Sequence, residues 1–216
     1  MATVPSNQTP ILGTLLSDLE ILDRITRIDN DSCIFITPLI DPDVQLGPSS
    51  LDVRLSTKLE VPVTLDVTHI DLAVRRQADS VKARVERNFQ SRAIEPEGRF
   101  VLHPGEFSLG STLEFIRLPC DIAARLEGRS SIARLGLEVH STAGFVDPGY
   151  EGELTFELKN VGRLPVVLRP GLRVAQLCFF RLSNVERPYN SKPHQKYGGS
   201  VGPRRSGIDK DPELSQ

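Results

Sequence analysis

The sequence has no strong charge imbalance, no long apolar run and no cationic leader. Its 26 basic and 28 acidic residues leave a formal net charge of -2, so the basic excess that is typical of a general nucleic-acid binder is missing. No window approaches the run of about 18 apolar residues that a membrane-spanning helix needs. Residues 1–12 also lack the cationic and apolar stretches of a secretion signal. These absences predict a cytoplasmic protein that binds neither nucleic acid nor membrane.

Clustered cysteines and a phosphate-binding Walker loop are missing as well. Cys33, Cys120 and Cys178 are far apart and each has apolar neighbours, which predicts buried free thiols and argues against disulfides or a metal cluster. The glycine and lysine pattern of a Walker loop is not found, and no alternation of strands and helices indicates a parallel nucleotide-binding sheet.

The length of 216 residues suits one domain with ragged ends. We predict a poorly ordered N-terminus over residues 1–12, a β domain over residues 13–184 and a flexible, glycine-rich tail or lid over residues 185–216. Ser17 and Glu20 match a capping box, which predicts a helix from about Asp18 to Arg27. Its apolar residues Leu19, Leu22 and Ile25 are expected to face the core.

Short runs rich in β-branched residues fill most of the chain. They are separated by turn residues, including Pro-Gly pairs at 104–105, 148–149 and 170–171, which favours an all-β barrel or double sheet. The charged segment from Ala73 to Arg92 interrupts this pattern. Val81, Val85 and Phe89 are spaced by four there, which predicts an exposed helical excursion.

Residues 128–160 hold the densest chemistry in the chain. In a strand over GELTFELK, Leu154, Phe156 and Leu158 would be buried, and Thr155 and Glu157 would lie together on the other face. A solvated strand face is the ordinary interpretation of a lone glutamate, but the neighbouring sequence raises the alternative of a catalytic carboxylate.

Two neighbouring motifs offer groups for a phosphorylated polar ligand. Arg129, Ser130, Ser131 and Arg134 present guanidinium forks and hydroxyls that fit phosphate oxygens, although a surface turn with locally paired arginines would have the same sequence. Asp147 precedes a Pro-Gly turn and could bind a sugar hydroxyl, or serve only the turn. For His140, a strand histidine bonded to the backbone is the stronger interpretation.

The motifs in this stretch resemble those of the dCTP deaminases, members of the trimeric dUTPase-like superfamily. The resemblance rests on GRSSIARLGLEVHSTAGFVDPGYEGELTFELKNVGRLPVVLRPGLRVAQLCFF and extends to GPSSLDVRL, LHPGEFSLGSTLE, RPYN and QKYGG, from about Leu16 to about Asp211. It implies a distorted β-barrel or jelly-roll subunit with short peripheral helices in a homotrimer, with active sites built from neighbouring subunits. The implied reaction converts dCTP to dUTP and ammonia without a catalytic metal, and magnesium enters with the triphosphate.

The resemblance also assigns roles to residues. It implies that Glu157 is the catalytic glutamate and that Ser130 and Arg134 flank the reacting base. The other substrate contacts that it implies are Arg129, Ser131, Ile132, Ala133, Ala143, Asp147, Thr155, Phe156, Gln176, Tyr189 and Lys196. The chemistry is consistent, because the chain lacks the Cys-x-x-Cys pair of zinc deaminases and a metal-free attack of water needs a positioned base.

Two departures from the family pattern bear on the tail and the product. Ser200 stands where many relatives have a glutamine, so the grip of the tail on the phosphates is expected to differ. The run STAGFVDPGYEGE and Gln176 look closer to bifunctional members that also hydrolyse dUTP to dUMP and diphosphate, whereas SGIDKD looks like the monofunctional type. A dUTP-releasing deaminase is the leading hypothesis. A bifunctional deaminase comes second, and a non-catalytic nucleotide-binding regulator comes last because Glu157 is present.

Overall fold

The computed structural model describes residues 13–29, 31–63, 86–183, 185–193 and 195–211. The helices within these residues are α1 (Asp18–Thr26), α2 (Pro42–Gln45), α3 (Ser130–Ala133) and the 3-10 turns Tyr189–Ser191 and Ile208–Lys210. The strands are β1 (Phe35–Thr37), β2 (Leu51–Pro62), β3 (Phe89–Ala93), β4 (Phe100–Leu102), β5 (Phe107–Arg117), β6 (Ile122–Gly128), β7 (Leu137–Glu138), β8 (Phe145–Val146), β9 (Glu151–Asn160), β10 (Val166–Leu168) and β11 (Arg173–Arg181). No helix of these residues is long and apolar enough to span a membrane.

The strands form one large antiparallel sheet and one small one. The large sheet has the order β7-β9-β5-β2-β11-β6-β8, with β1 on β5 and β3 on β2, and β10 pairs with β4. Register shifts interrupt the pairs β2 with β5, β5 with β9 and β2 with β11. Such irregularities bend strands and increase twist, so the sheet curls into a half-barrel around its apolar core. The prediction of a mainly β, barrel-like fold is confirmed.

Strand β9 follows the predicted alternation. Leu154, Phe156 and Leu158 are buried, while Thr155 and Glu157 are only half-buried on the opposite face. The three Pro-Gly pairs also lie at turns, where Gly105, Gly149 and Gly171 have φ values of 81°, 76° and 80°. Glycine suits this left-handed backbone because it has no Cβ to clash.

Helix α1 begins with the predicted capping box but faces the core differently. The N–H of Glu20 donates to Oγ of Ser17 at 3.4 Å, and the N–H of Ser17 donates to Oε2 of Glu20 at 3.0 Å. Ile21 and Arg24 are the buried residues, whereas Leu19 and Leu22 are 50% and 39% exposed. The predicted apolar stripe is therefore wrong for these two leucines, since Arg24 occupies the inner face through its ion pair with Asp121.

The charged excursion largely falls outside the described residues, which resume at 86. Glu86 and Arg87, its first described residues, are helical as predicted, but the last part of the excursion is strand β3, because Phe89–Ala93 pairs with Lys58–Pro62 of β2. Phe89 is in a strand because its backbone pairs with β2, although its spacing from Val81 and Val85 is that of a helix. The thiol prediction holds fully only for Cys33, which is buried, whereas Cys120 and Cys178 are half-buried.

A charged network lies inside the fold between β2 and β5. Glu114 is fully buried and accepts hydrogen bonds from the backbone N–H and Nε of Arg54 at 2.9 and 2.6 Å. Its Oε1 also accepts from Nε2 of Gln45 at 3.2 Å. Each buried charge thus has a partner, as burial in a low-dielectric interior requires.

Candidate active site

A cavity of about 400 Å³ opens beside strand β9, and we call it the Glu157 pocket. Five of the predicted substrate-binding residues line it, namely Ala143, Asp147, Thr155, Glu157 and Tyr189. The other lining residues are Phe89, Phe107, Leu109, Leu126, Gly144, Phe145, Val146, Tyr150, Leu154, Tyr197, Arg204 and Ser206. The walls are mostly apolar with a few convergent polar groups, which is the usual composition of a small-molecule site.

The loop after β7 holds Glu157 in place. The backbone N–H of Glu157 donates to the carbonyl of Val139 at 2.9 Å, so β9 and this loop are tied at the backbone. The N–H of Ser141 donates to Oε2 of Glu157 at 2.7 Å. Among the described residues, Oε1 has no hydrogen-bond donor, so one carboxylate oxygen is fixed and the other is available to a ligand or water.

His140 lies in the same loop, and its surroundings differ from the sequence prediction. It is not in a strand, and its Nδ1 is buried without a hydrogen-bond partner among the described residues. Its Nε2 lies 3.9 Å from Oε2 of Glu127. The prediction of a strand histidine bonded to the backbone is therefore wrong, because β7 ends at Glu138.

Asp147 and two tyrosines form another wall of the pocket. Asp147 follows β8 and its Oδ2 accepts from Nζ of Lys192 at 3.0 Å. The rings of Tyr150 and Tyr189 are 5.5 Å apart, and the hydroxyl of Tyr150 donates to the carbonyl of Glu153 at 2.8 Å. Burial raises the pKa of Tyr150 further above neutral pH than that of an ordinary phenol, so its hydroxyl stays a hydrogen-bond donor.

The tail reaches the pocket because it is bonded to β9. The backbone N–H of Glu153 donates to the carbonyl of Ser200 at 2.8 Å, and Ser200 pairs in parallel with Gly152. The N–H of Tyr197 donates to the hydroxyl of Tyr189 at 2.9 Å. Ser200 is 1% exposed, so its side chain supports the tail and does not face the pocket.

Of the predicted arginine and serine loop, Arg129 belongs to a second polar cluster, which surrounds Asp52. Nε of Arg129 lies 3.1 Å from Oδ2 of Asp52, and Nη1 of Arg173 lies 3.0 Å from the same oxygen. Gln176 is opposite Asp52 in the paired strands and accepts from the hydroxyl of Ser50 at 3.2 Å. Burial raises the pKa of Asp52, and the charges of Arg129 and Arg173 act against that shift.

The predicted site residues do not all line the same pocket. Within the described residues, the lining of the Glu157 pocket includes none of positions 129–134, and it includes neither Phe156, Gln176 nor Lys196. The side chains of Ser130, Ser131 and Arg134 are exposed on α3 and just after it, and Ile132 packs against the core. Phe156 is fully buried in the core, and Lys196 forms an ion pair with Asp211.

Several lining residues were missed by the sequence analysis. Phe89 and Phe107 come from β3 and β5, and Tyr197, Arg204 and Ser206 come from the tail. Tyr197 stands within the motif QKYGG and could have been found there. Arg204 and Ser206 had no local signal, because their position depends on the pairing of the tail with β9.

Comparison with known proteins agrees with these observations. A family model described as dCTP deaminase-like matches residues 15–182. The chain is 42% identical over 203 residues to a dCTP deaminase of Haloarcula marismortui, spanning 93% of this chain and 97% of that protein. It is 49% identical over 187 residues to a dUMP-forming dCTP deaminase of Mycobacterium sp. strain KMS, spanning 85% of this chain and 93% of that protein.

A solved structure shares the fold. The crystal structure of 2'-deoxycytidine 5'-triphosphate deaminase from Agrobacterium tumefaciens matches with a TM-score of 0.58 and 24% identity. The match covers 79% of this chain and 50% of that one, so this chain spans half the length of the Agrobacterium chain. At this identity the likeness concerns the fold alone.

Proposed function

The chain belongs to the dCTP deaminase-like family, and on that premise we propose that it hydrolyses dCTP to dUTP and ammonia in the Glu157 pocket. The observation that carries the proposal is the carboxylate of Glu157, which is half-buried in an apolar cavity with one oxygen fixed by the N–H of Ser141 at 2.7 Å. A carboxylate held this way is suited to proton transfer, because its orientation does not have to be gained during the reaction.

The proposed reaction uses Glu157 as a base and then as an acid. A water attacks C4 of the cytosine while Glu157 accepts one of its protons. The carboxyl group returns that proton to the amino group, the C4–N bond breaks and ammonia leaves. The other proton of the water ends on N3 of the ring, so the products are ammonia and a uracil with a C4 carbonyl and an N3–H.

Thr155 and Asp147 have positions that suit the binding of base and sugar in this proposal. Thr155 precedes Glu157 by two residues on the same face of β9, and Asp147 lines the pocket wall formed after β8. Lys192 now holds Asp147 at 3.0 Å, so a sugar hydroxyl would replace or join that contact. Magnesium is proposed to enter as part of the nucleotide, bound to the triphosphate.

We further propose a homotrimer in which a neighbouring copy supplies Ser130 and Arg134. The support is that these side chains are exposed and do not line the pocket of their own chain. Two exposed apolar side chains lie near them: Leu135 follows Arg134 in the chain, the N–H of Val161 donates to the carbonyl of Gly136, and the two are 69% and 54% exposed. Exposed apolar surface of this kind is typical of contacts between subunits.

A second candidate function adds hydrolysis of dUTP to dUMP and diphosphate. It is favoured by the 49% identity to a relative that is named dUMP-forming. The same pocket would then place a second water on the phosphate chain.

Product analysis tests both functions. The purified chain is incubated with dCTP and magnesium, and ammonia, dUTP, dUMP and diphosphate are resolved over time. Accumulating dUTP supports the deaminase alone, whereas dUMP with stoichiometric diphosphate and no accumulating dUTP supports the bifunctional enzyme. Absence of ammonia would contradict both and leave a non-catalytic nucleotide-binding protein.

A further inference from the structure

Arg204 occupies a position that neither the family pattern nor the proposed reaction explains. Among the described residues that line the Glu157 pocket, it is the only one with a cationic side chain, and it shares the pocket with the carboxylates of Asp147 and Glu157. Lys192 lies 3.0 Å from Asp147, but among the described residues the carboxylate of Glu157 has no cationic partner and would repel the negative charges of a triphosphate.

The backbone holds Arg204 firmly against the pocket. Its N–H donates to Oγ1 of Thr155 at 3.0 Å, on the strand that carries Glu157. Two residues earlier, the N–H of Gly202 donates to Oε2 of Glu153 at 2.8 Å. Both bonds run from the backbone of the tail to side chains of β9, so the position of Arg204 at the pocket is fixed at its backbone.

One nitrogen of the Arg204 guanidinium is hydrogen-bonded within the chain, and the other two are available to a ligand. Its Nε donates to Oγ of Ser200 at 3.3 Å. Among the described residues, its two terminal nitrogens have no hydrogen-bond acceptor and no carboxylate partner, and the residue is exposed. Burial is the main cause that raises the pKa of Tyr150, and the nearby charge of Arg204 acts in the opposite direction, which is consistent with a guanidinium close to the pocket wall.

Three other cations of the tail differ in this respect. Lys192 lies 3.0 Å from Asp147, Lys196 pairs with Asp211, and Nη2 of Arg205 lies 2.6 Å from Glu60. Each of these charges has a carboxylate in its own chain. Arg204 therefore differs from them in having both a place in the pocket and terminal N–H donors without an acceptor.

We propose that Arg204 is a phosphate-binding residue of the nucleotide site, with Ser200 as the residue that orients it. The inference rests on the proposed function, because it takes the Glu157 pocket as the nucleotide site. A guanidinium can donate two parallel hydrogen bonds to phosphate oxygens, and such charge-assisted bonds are stronger than bonds between neutral groups. Ser200, which stands in place of the expected glutamine, thus affects phosphate binding indirectly, by orienting the guanidinium of Arg204.

The test compares Arg204→Ala, Arg204→Lys and the control Arg99→Ala in the full chain. Arg99 is exposed and lies outside the Glu157 pocket, so its removal makes the same change in net charge. The ligands are dCTP, deoxycytidine and inorganic triphosphate, at one ionic strength. Calorimetry measures the binding of deoxycytidine and inorganic triphosphate, steady-state kinetics gives KM and kcat for dCTP, and thermal melting checks that each variant folds.

We expect Arg204→Ala to weaken inorganic triphosphate binding and raise KM for dCTP by roughly tenfold or more, with kcat and deoxycytidine affinity nearly unchanged. Arg204→Lys should recover part of the loss, and Arg99→Ala should match the wild type. Triphosphate binding that survives Arg204→Ala would overturn the inference, as would an equal loss of deoxycytidine affinity. If the wild type binds inorganic triphosphate in an Arg204-dependent way but releases no ammonia from dCTP, the proposed function fails and the phosphate site stands.

Discussion

The backbone N–H of Ser141 donates a 2.7 Å hydrogen bond to Oε2 of Glu157. This contact joins a loop after β7 to the strand that carries the carboxylate, so the orientation of Glu157 depends on two segments that are 16 residues apart. A backbone donor cannot be removed by changing a side chain, and it accepts no proton itself. The contact therefore leaves Glu157 as the group that exchanges protons in the proposed reaction.

Replacing Glu157 by glutamine should abolish ammonia release and leave nucleotide binding largely intact. The amide keeps the shape of the side chain and can still accept from Ser141, but it cannot cycle a proton. We expect kcat to fall by roughly 10²–10⁴-fold, the usual contribution of a positioned acid–base group. Ammonia release and dCTP binding are the two measurements.

Glu151→Gln is the matched control for that variant. Glu151 lies on the same strand, is exposed and does not line the pocket. It should retain wild-type kcat. Deamination by Glu157→Gln at a rate near that of the wild type would remove Glu157 from the mechanism.

Arg134→Ala should be inactive, because its guanidinium would no longer position the base across a subunit contact. The shared site predicts that this inactive variant and inactive Glu157→Gln restore activity when they are mixed and reassembled. In a random trimer, about a quarter of the sites would combine an intact Glu157 with an intact Arg134 from the neighbour. The measurement is ammonia release after joint unfolding and refolding of the two variants.

If mixed oligomers are shown to form and still release no ammonia, Glu157 and Arg134 of each site would come from the same chain. An active monomer, detected by light scattering with an activity assay, would argue against the shared site altogether. An Arg134→Ala variant that retains kcat and shows only weaker affinity would make Arg134 a phosphate contact.

Deleting the residues after Tyr189 should raise KM for dCTP at least tenfold. The deletion removes Tyr197, Arg204 and Ser206 from the pocket wall and releases the pairing of Ser200 with Gly152. Steady-state kinetics measures the effect, and nucleotide protection in thermal melting gives an independent value. An unchanged KM would mean that the tail takes no part in binding.

Glu114→Ala should destabilise the fold without a direct effect on the pocket. It leaves the buried guanidinium of Arg54 without its carboxylate. Removing one partner of a buried ion pair lowers the free energy of unfolding by about 3–5 kcal/mol. Urea unfolding at one protein concentration measures the loss, and exposed Glu97→Ala is the control. A change below about 1 kcal/mol would mean that Arg54 finds other acceptors, such as the carbonyl of Pro38.

Local patterns predicted those features that neighbouring residues create. The capping box of Ser17 and Glu20, the Pro-Gly turns and the alternation along β9 each depend on a few adjacent residues. The pattern did not predict which face of α1 is buried. Arg24 lies inside, where Asp121, which is 97 residues away, and the carbonyl of Ser32 are its partners.

The sequence by itself determined the fold class and the chemistry available to the site, because alternation, turn residues and the family motifs are properties of short stretches. It also identified Glu157 and Asp147, which lie on the pocket wall. Only the tertiary structure decided which groups meet. The curl of the sheet separates Arg129 and Gln176 from the Glu157 pocket, and the pairing of the tail with β9 brings Arg204 to it. Such contacts depend on backbone hydrogen bonds between distant segments, which leave no pattern in either segment alone.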